Sequence, residues 1–485
     1  MTPLTLTSAA DLDPAAIRQV ASGRALHIAP GLLAQVQRHC DQAREVLRQG
    51  RPVYGVNTGM GALAGVHLTE AEQLRHQRNL MLARATGGPP WLDAADARAI
   101  MAVRLRTFLS GDTGVSAGLC LRLAGFLGSG ITPAVPRTGS GSAGEVLVLA
   151  HAFGPLTGIG QVLAQDGSTV PAAGALDRLG LPEFALGPKE GIALLAGVPG
   201  ATAMCIRRGG EASALAALME EAAALSIVAA GASRDPYAAQ CGRADDILAG
   251  VLGRLRQRAG DNPAPRSLQA PASFRVAGPV MTQVLRAAGG LAAAAGRALA
   301  GVTDSPAFLG GHFIGTAGFH GIDLAAHLDQ LTAALAHAAE VSAARIHRLL
   351  DPRVTGLPAQ LAATPGPDAG LVTVHKRAAG EVHALRRLAS SSAVGLIETS
   401  GGQEDVQSFA WEAAQTLRGA LRHAHAVTAC ELLTAYQAAA LSPRQAPAGC
   451  RGLLEWLTGI IGPIAGDRPF GEDIERIMEA PWRSP

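Results

Sequence analysis

Two glycine-rich stretches carry the side chains of this chain best suited to chemistry. The first reads Thr138-Gly139-Ser140-Gly141-Ser142-Ala143-Gly144-Glu145 and runs on through Leu147 to His151. Its spacing Gly139-x-Gly141-x-x-Gly144 is that of a dinucleotide-binding turn, and Asp166, 22 residues beyond Gly144, stands near where a ribose-binding acid is wanted. Such a turn works only after a buried strand and before a helix in a βαβ unit. The lead-in, Ile131-Thr132-Pro133-Ala134-Val135-Pro136, holds two prolines that a central strand does not accommodate, and no alternation of strands and helices follows. Nucleotide binding is not expected. Taken alone, the stretch is a glycine-rich turn at a helix start. The second stretch, Pro52-Val53-Tyr54-Gly55-Val56-Asn57-Thr58-Gly59-Met60-Gly61, sets a phenol and an amide among glycines that free the backbone.

Together the two stretches resemble the histidine and aromatic amino acid ammonia-lyases. In that family the first reads roughly Gly-Ser-x-Gly-Ala-Ser-Gly-Asp-Leu-x-x-Leu-Ala-His, and its Ala-Ser-Gly cyclises and dehydrates into an electrophilic 4-methylideneimidazole-5-one (MIO). Further matches come in the family's order: Gln77-Arg78-Asn79-Leu80, Lys189-Glu190-Gly191 with Ala193-Leu194-Leu195, residues 269–275, Gly318-Phe319-His320, Ala344-Arg345-Ile346 and Gln403-Glu404-Asp405. The resemblance covers most of the chain and breaks at the electrophile, where the triad reads Ser142-Ala143-Gly144. The middle residue must lose its side-chain oxygen as water, and Ala143 has no oxygen to lose. Ala272, in Gln269-Ala270-Pro271-Ala272-Ser273-Phe274-Arg275, takes the place of a second family tyrosine, and Ala196 that of an asparagine that helps hold the MIO oxygen. Three losses around one cofactor imply that MIO is absent and that no other cofactor replaces it. A cyclisation shifted to Gly141-Ser142-Ala143 would use the amide of Ala143 instead of a glycine, and its methyl group restricts so tight a turn.

The resemblance assigns roles to the remaining residues. Tyr54 would be the base that takes a proton from the β-carbon. A free phenol titrates near about 10, so that role requires a neighbouring cation or hydrogen bonds that favour the phenolate. Arg84 stands where the histidine lyases carry a histidine and would supply the charge; otherwise it is an exposed helix charge. Arg275 matches the arginine that grips the substrate carboxylate, work suited to a planar bidentate donor; the alternative is an ordinary salt bridge. Asn57, Gln269 and Phe319 match positions lining the substrate. Glu404 matches the acid that meets the imidazole ring or amino group in histidine-specific members, the alternative being a helix cap at Ser400-Gly401-Gly402-Gln403-Glu404. His375 and Lys376 fall near a family glutamine. A lysine there would bind the carboxylate or stabilise an anion, or else be a solvated charge.

Without the electrophile, elimination needs a better leaving group than ammonia. The trimethylammonium of a histidine betaine leaves as neutral trimethylamine, and an MIO-lacking branch of the family, the ergothionase type, removes it from ergothioneine. The expected function is therefore a β-elimination from an imidazole or aromatic α-amino acid derivative, with trimethylamine lost from a histidine betaine. Two other readings stay open: a conventional histidine or aromatic amino acid ammonia-lyase with an atypical MIO, and a catalytically silent structural or regulatory homologue.

The elements that must position these residues are helical. Up to about residue 200 the chain is rich in turns; from Glu211 on it has long amphipathic segments. The clearest runs through Leu324, Leu328, Leu331, Leu335, Ala338 and Ile346 to Leu349, the four-three spacing of one helical face, and stops before Asp351-Pro352. Similar faces occupy residues 283–302, 370–393 and 407–440, with irregular connections at 260–271 and 350–369. The predicted fold is mainly α: a loop-rich amino-terminal lobe over residues 1–205 and a long-helix bundle over 206–485. The resemblance to ammonia-lyases implies the same bundle, assembled as a homotetramer whose active sites are built from several subunits. Among the 485 residues, 41 Lys and Arg against 39 Asp and Glu leave a net charge of +2, which offers no basic field for nucleic acid. The six cysteines (Cys40, Cys120, Cys205, Cys241, Cys430, Cys450) are scattered without a Cys-x-x-Cys pair, the pattern of reduced thiols in a cytoplasmic protein with no metal site. No signal-peptide pattern opens the chain. The uncharged run 146–165 holds His151, Gly154, Pro155, Gly158 and Gly160 and reads as a buried helix ending at Gly154-Pro155, not a membrane span. A small amino acid or betaine and further copies of the chain are the expected partners.

Overall fold

Alanine and leucine, both strong helix formers, are abundant along the whole sequence, and long helices follow from them. In the computed structural model, which describes residues 2–262, 264–395 and 397–481, the chain is mainly helical, with small sheets of two or three strands. Contacts divide it into two compact units. The first takes in the residues up to Gly209 with Leu291–Leu328 and Ser391–Gln415; the second takes in Gly210–Gly290, Asp329–Ser390 and the chain from Thr416 on. The sequence pattern leads one to expect a single division at 205/206; in the structure the first division falls at 209/210 and the chain returns to the first unit twice. Those returning segments carry short strands and loops, Ala307–Leu309, His312–Ile314 and the turn at Ser400–Gly402, which a shift in composition does not register.

In the first unit the helix Glu70–Arg84 opens with a capping box: the Glu72 carboxylate accepts the Thr69 amide (2.8 Å) and the Thr69 hydroxyl accepts the Glu72 amide. A three-stranded antiparallel sheet joins Thr132–Pro133, Gln161–Leu163 and Thr169–Pro171, with Thr132–Pro133 at its edge. Proline belongs on an edge strand, and the pairing is not that of a βαβ unit. Between the first two strands lie the loop 138–145, the buried helix Val146–Phe153 and a 3-10 turn at Gly154–Thr157, so the uncharged run ends its helix where glycine and proline predict. Among the described residues one stretch, Glu190–Ala229, is long and apolar enough to cross a membrane, and 78% of its apolar window is buried inside the protein, as in a core helix.

The helix expected from the four-three leucine spacing is Ile322–Leu349, and Asp351 begins the next short helix, Pro352–Thr355, by accepting the Arg353 amide. The faces expected at 283–302, 370–393 and 407–440 are the helices Ala277–Ala300, Val372–Leu388 and Ala410–Leu441. The last starts later than its pattern because Phe409 has φ +52°, outside the helical region. Within the second unit Arg345 forms a two-pronged buried pair with Glu431 (2.6 and 2.8 Å), to which Ser226 and Ser342 also donate.

Candidate active site

A cavity of about 450 Å³ lies in the first unit, walled by Tyr54, Met60, Ala143, Gly144, Ile192, Ala196, Phe313, Phe319, Gln403 and Glu404 among others. Tyr54 is brought there by a loop that turns at Gly55, whose φ is +68° and where a β-carbon would strike the Ile192 side chain. Gln77, wholly buried on Glu70–Arg84, stitches this loop in place: its amide donates to the Gly55 carbonyl (3.0 Å) and its oxygen accepts the Ile192 amide (3.0 Å). The Tyr54 hydroxyl accepts the Gly61 amide at 2.8 Å. Asn57 does not line the cavity as expected. Its oxygen accepts the Val53 amide (2.6 Å) and its nitrogen donates to the Arg51 carbonyl (2.8 Å), so both ends of the amide are used inside its own loop.

Arg84 closes its helix half-buried and donates toward the Met60 sulfur (3.7 Å). Burial draws its pKa down, while the negative charges of Tyr54 and Glu404 act to raise it. Arg84 is thus half-buried and coupled electrostatically to Tyr54 and Glu404, unlike a fully exposed helix charge.

The loop 138–145 is held from three directions. Gly139 and Ser140 donate their amides to Glu412 (both 2.9 Å), Ala143 donates to Glu404 (2.9 Å), and Glu145 accepts the Gly200 and Ala201 amides (both 2.6 Å). The last two bonds lie at the start of Pro199–Ala229, the end of a helix that favours a carboxylate. Burial nevertheless pushes the Glu145 carboxyl up to about 7, against the pull of those two amides and Arg104. Ala143 and Gly144 line the cavity; Ser142 does not, and its hydroxyl donates to the Gly144 carbonyl (3.2 Å).

Behind the walls sit buried charges, of which the motifs name only Lys189. Lys189 and Asp304 pair at 2.7 Å, each 1% exposed, and tie the segment leading to Ile192 to the one leading to Ser305 and Pro306. Burial lowers the pKa of Lys189 and raises that of Asp304. Arg104, wholly buried and brought down to about 10 by that burial, donates to the Ala196 carbonyl and lies over the rings of Phe108 and Phe153 (5.6 and 5.9 Å).

Glu404 is presented by a tight turn and not by a helix start. Thr399 and Glu404 exchange backbone hydrogen bonds (3.0 and 3.3 Å), the Glu404 carboxylate accepts the Ala143 amide, and the turn Ser400–Gly402 has no side-chain cap bond. Among the described residues, Glu404 is the one charged side chain lining the cavity.

The remaining expected site residues are not gathered there. Gln269, Arg275 and Lys376 belong to the second unit, are exposed, and do not line this cavity. Arg275 ends the short helix Ala272–Arg275 and donates to the Ala270 carbonyl (2.9 Å), with no carboxylate partner among the described residues. His375 stacks on His347 (4.8 Å) while Lys376 projects into solvent. Phe313, on the strand His312–Ile314, lines the cavity with no sequence signal for a site, and Met60 lines it from within the tyrosine loop without its residue type marking a role.

A helical bundle with a tyrosine loop, a glycine-rich loop and a Gln-Glu-Asp turn around one cavity defines a class of carbon–nitrogen lyases. The aromatic amino acid lyase family matches residues 12–457, and this chain belongs to that family. It is similar to the histidine ammonia-lyase of Symbiobacterium thermophilum, 31% identical over 477 residues that cover 96% of this chain and 94% of the relative. Among solved structures it resembles tyrosine aminomutase from Streptomyces globisporus, with a TM-score of 0.91, 27% identity, and coverage of 99% of this chain and 96% of that one. It shares its fold with ergothionase from Treponema denticola, an ergothioneine-degrading enzyme, at a TM-score of 0.92, 24% identity, and coverage of 99% and 98%.

Proposed function

We propose that this lyase eliminates trimethylamine from a histidine betaine such as ergothioneine, without an MIO electrophile. The observation that carries the proposal is the state of the loop 142–144. Ala143 has no oxygen to lose, its amide, which a shifted cyclisation would need as the attacking group, is donated to Glu404, and the Ser142 side chain lies outside the cavity. These residues do not fit MIO. A substrate that carries its own leaving group does not need it.

The cavity suits a cation: one negative side chain, Glu404, and three aromatic rings, Tyr54, Phe313 and Phe319, whose faces attract a quaternary ammonium. Glu404 accepts a hydrogen bond from the imidazole ring. Tyr54, beside Arg84, takes the β-proton; the C–H electrons become the new Cα=Cβ bond as the C–N electrons depart with trimethylamine. Gln269, Arg275 and Lys376 reach the cavity from other copies of the chain in a homotetramer, where the arginine and lysine hold the carboxylate. Its free cysteines, five of them buried, suit the reducing cytoplasm.

Intact mass and a substrate panel of ergothioneine, histidine and phenylalanine test this reading. The expected result is a mass equal to the encoded chain, with trimethylamine and a conjugated acrylate formed from ergothioneine alone. A mass short by two waters with ammonia released from histidine would establish a conventional lyase. No product from any substrate would establish a silent homologue.

A further inference from the structure

We infer that Thr399 and Gln407 are positioning residues that hold the Glu404 carboxylate with one oxygen toward the cavity; this rests on the reading that Glu404 meets the substrate. The Glu404 Oε2 receives two hydrogen bonds, from the Ala143 amide (2.9 Å) and from the Thr399 hydroxyl (3.1 Å). A threonine hydroxyl has one hydrogen to give. With that hydrogen on Glu404, its lone pairs accept from the Gln407 amide nitrogen at 3.1 Å, and the second hydrogen of that nitrogen goes to the Ile397 carbonyl (3.1 Å). The relay Gln407 to Thr399 to Glu404 therefore has a single direction, and each donor in it is used.

The backbone confirms the anchoring. Thr399 and Glu404 are bridged across a turn in which Ser400, Gly401 and Gly402 all have positive φ (56°, 62° and 85°), so the side chain leaves a clamped hairpin. Gln407 is 3% exposed, and its Oε1 is buried without a partner among the described residues. A buried unsatisfied oxygen is unfavourable, and an apolar residue would fill the space without it. What the amide contributes is its donor end, directed at Thr399. With Oε2 saturated, Oε1, which has no partner among the described residues, is the acceptor left for the substrate, already oriented before binding.

The test compares T399V, T399S, Q407M and E404Q on ergothioneine turnover. T399V and Q407M are expected to raise KM about tenfold, the scale of one hydrogen bond to a charged group, with kcat within about twofold; T399S should restore the wild-type value. The double variant T399V/E404Q should be no worse than E404Q, since the relay acts through the carboxylate. A wild-type KM in T399V beside an impaired E404Q overturns the relay and leaves the functional reading standing. Hydrogen exchange of the Ala143 amide, which needs no substrate, decides the relay independently: it should quicken about tenfold in T399V as Glu404 loosens. Unchanged exchange overturns the relay. Quickened exchange in a protein that turns over no betaine supports the relay and overturns the functional reading instead.

Discussion

At the scale of single residues, the proposed chemistry turns on a phenol and on a missing hydroxyl. The bond that Tyr54 receives from the Gly61 amide is one that a phenolate accepts as readily as a phenol, so the loop need not move when the proton arrives. Tyr54→Phe should lower kcat by at least about 100-fold, the usual reach of a positioned base, while thermal melting stays where it was; a kinetic and a melting measurement on one preparation check both. Glu145 gives a pH signature. Its folded pKa of about 7 lies above the ordinary 4.5, so between those values the folded protein holds more protons than the unfolded chain and stability falls as pH rises. The contribution is complete below about 4.5 and gone above about 7. Melting temperatures from pH 4.5 to 8 should decline in the wild type and decline less in Glu145→Gln, whose neutral amide has no proton to lose. Tyr54, Ala143, Phe319 and Glu404 are legible as cavity-lining residues because residue type within a motif states them outright. Asn57 shows the limit of the same signal: the motif names an amide but not the carbonyl and the amide within its own loop that it bonds.

At the scale of elements, the walls of the cavity are segments from different parts of the chain, and buried polar contacts hold them together. The Lys189–Asp304 pair is the most exposed to test. Removing one partner leaves an uncompensated buried charge, so Lys189→Met should cost about 3–5 kcal/mol by chemical denaturation. Replacing both, as Lys189→Met with Asp304→Leu, should recover most of that loss. Equal destabilisation by the single and double variants would show that the charge itself is needed. The helices were largely legible, since a buried stripe repeats every three or four residues; Leu328, Leu331, Leu335, Ile346 and Leu349 are all fully buried. Their ends were less so. The start of Ala410–Leu441 is set by the backbone at Phe409, a local conformation that hydrophobic spacing does not encode.

At the scale of the whole molecule, the proposed carboxylate-binding residues lie on a different unit from the cavity they would serve. If other copies supply them, Tyr54→Phe and Arg275→Ala chains, each inactive alone, should regain activity when co-assembled, because some mixed sites receive both an intact Tyr54 and an intact Arg275. Co-expression with separable tags, followed by assay of the mixed species, checks this. Continued inactivity would show that Tyr54 and Arg275 must come from the same copy and overturn the supply of Arg275 by a neighbour.

The sequence alone determined the family, the mainly helical fold and the loss of the MIO hydroxyl, because each is written in residue types and spacings that lie along the chain. Only the tertiary structure decided that the Ala143 amide is donated to a carboxylate 261 positions away, that Glu145 caps a helix, and that Arg104, Lys189 and Asp304 brace the cavity from within. Hydrogen bonds and burial depend on which distant segments meet in space, and no local pattern records that meeting.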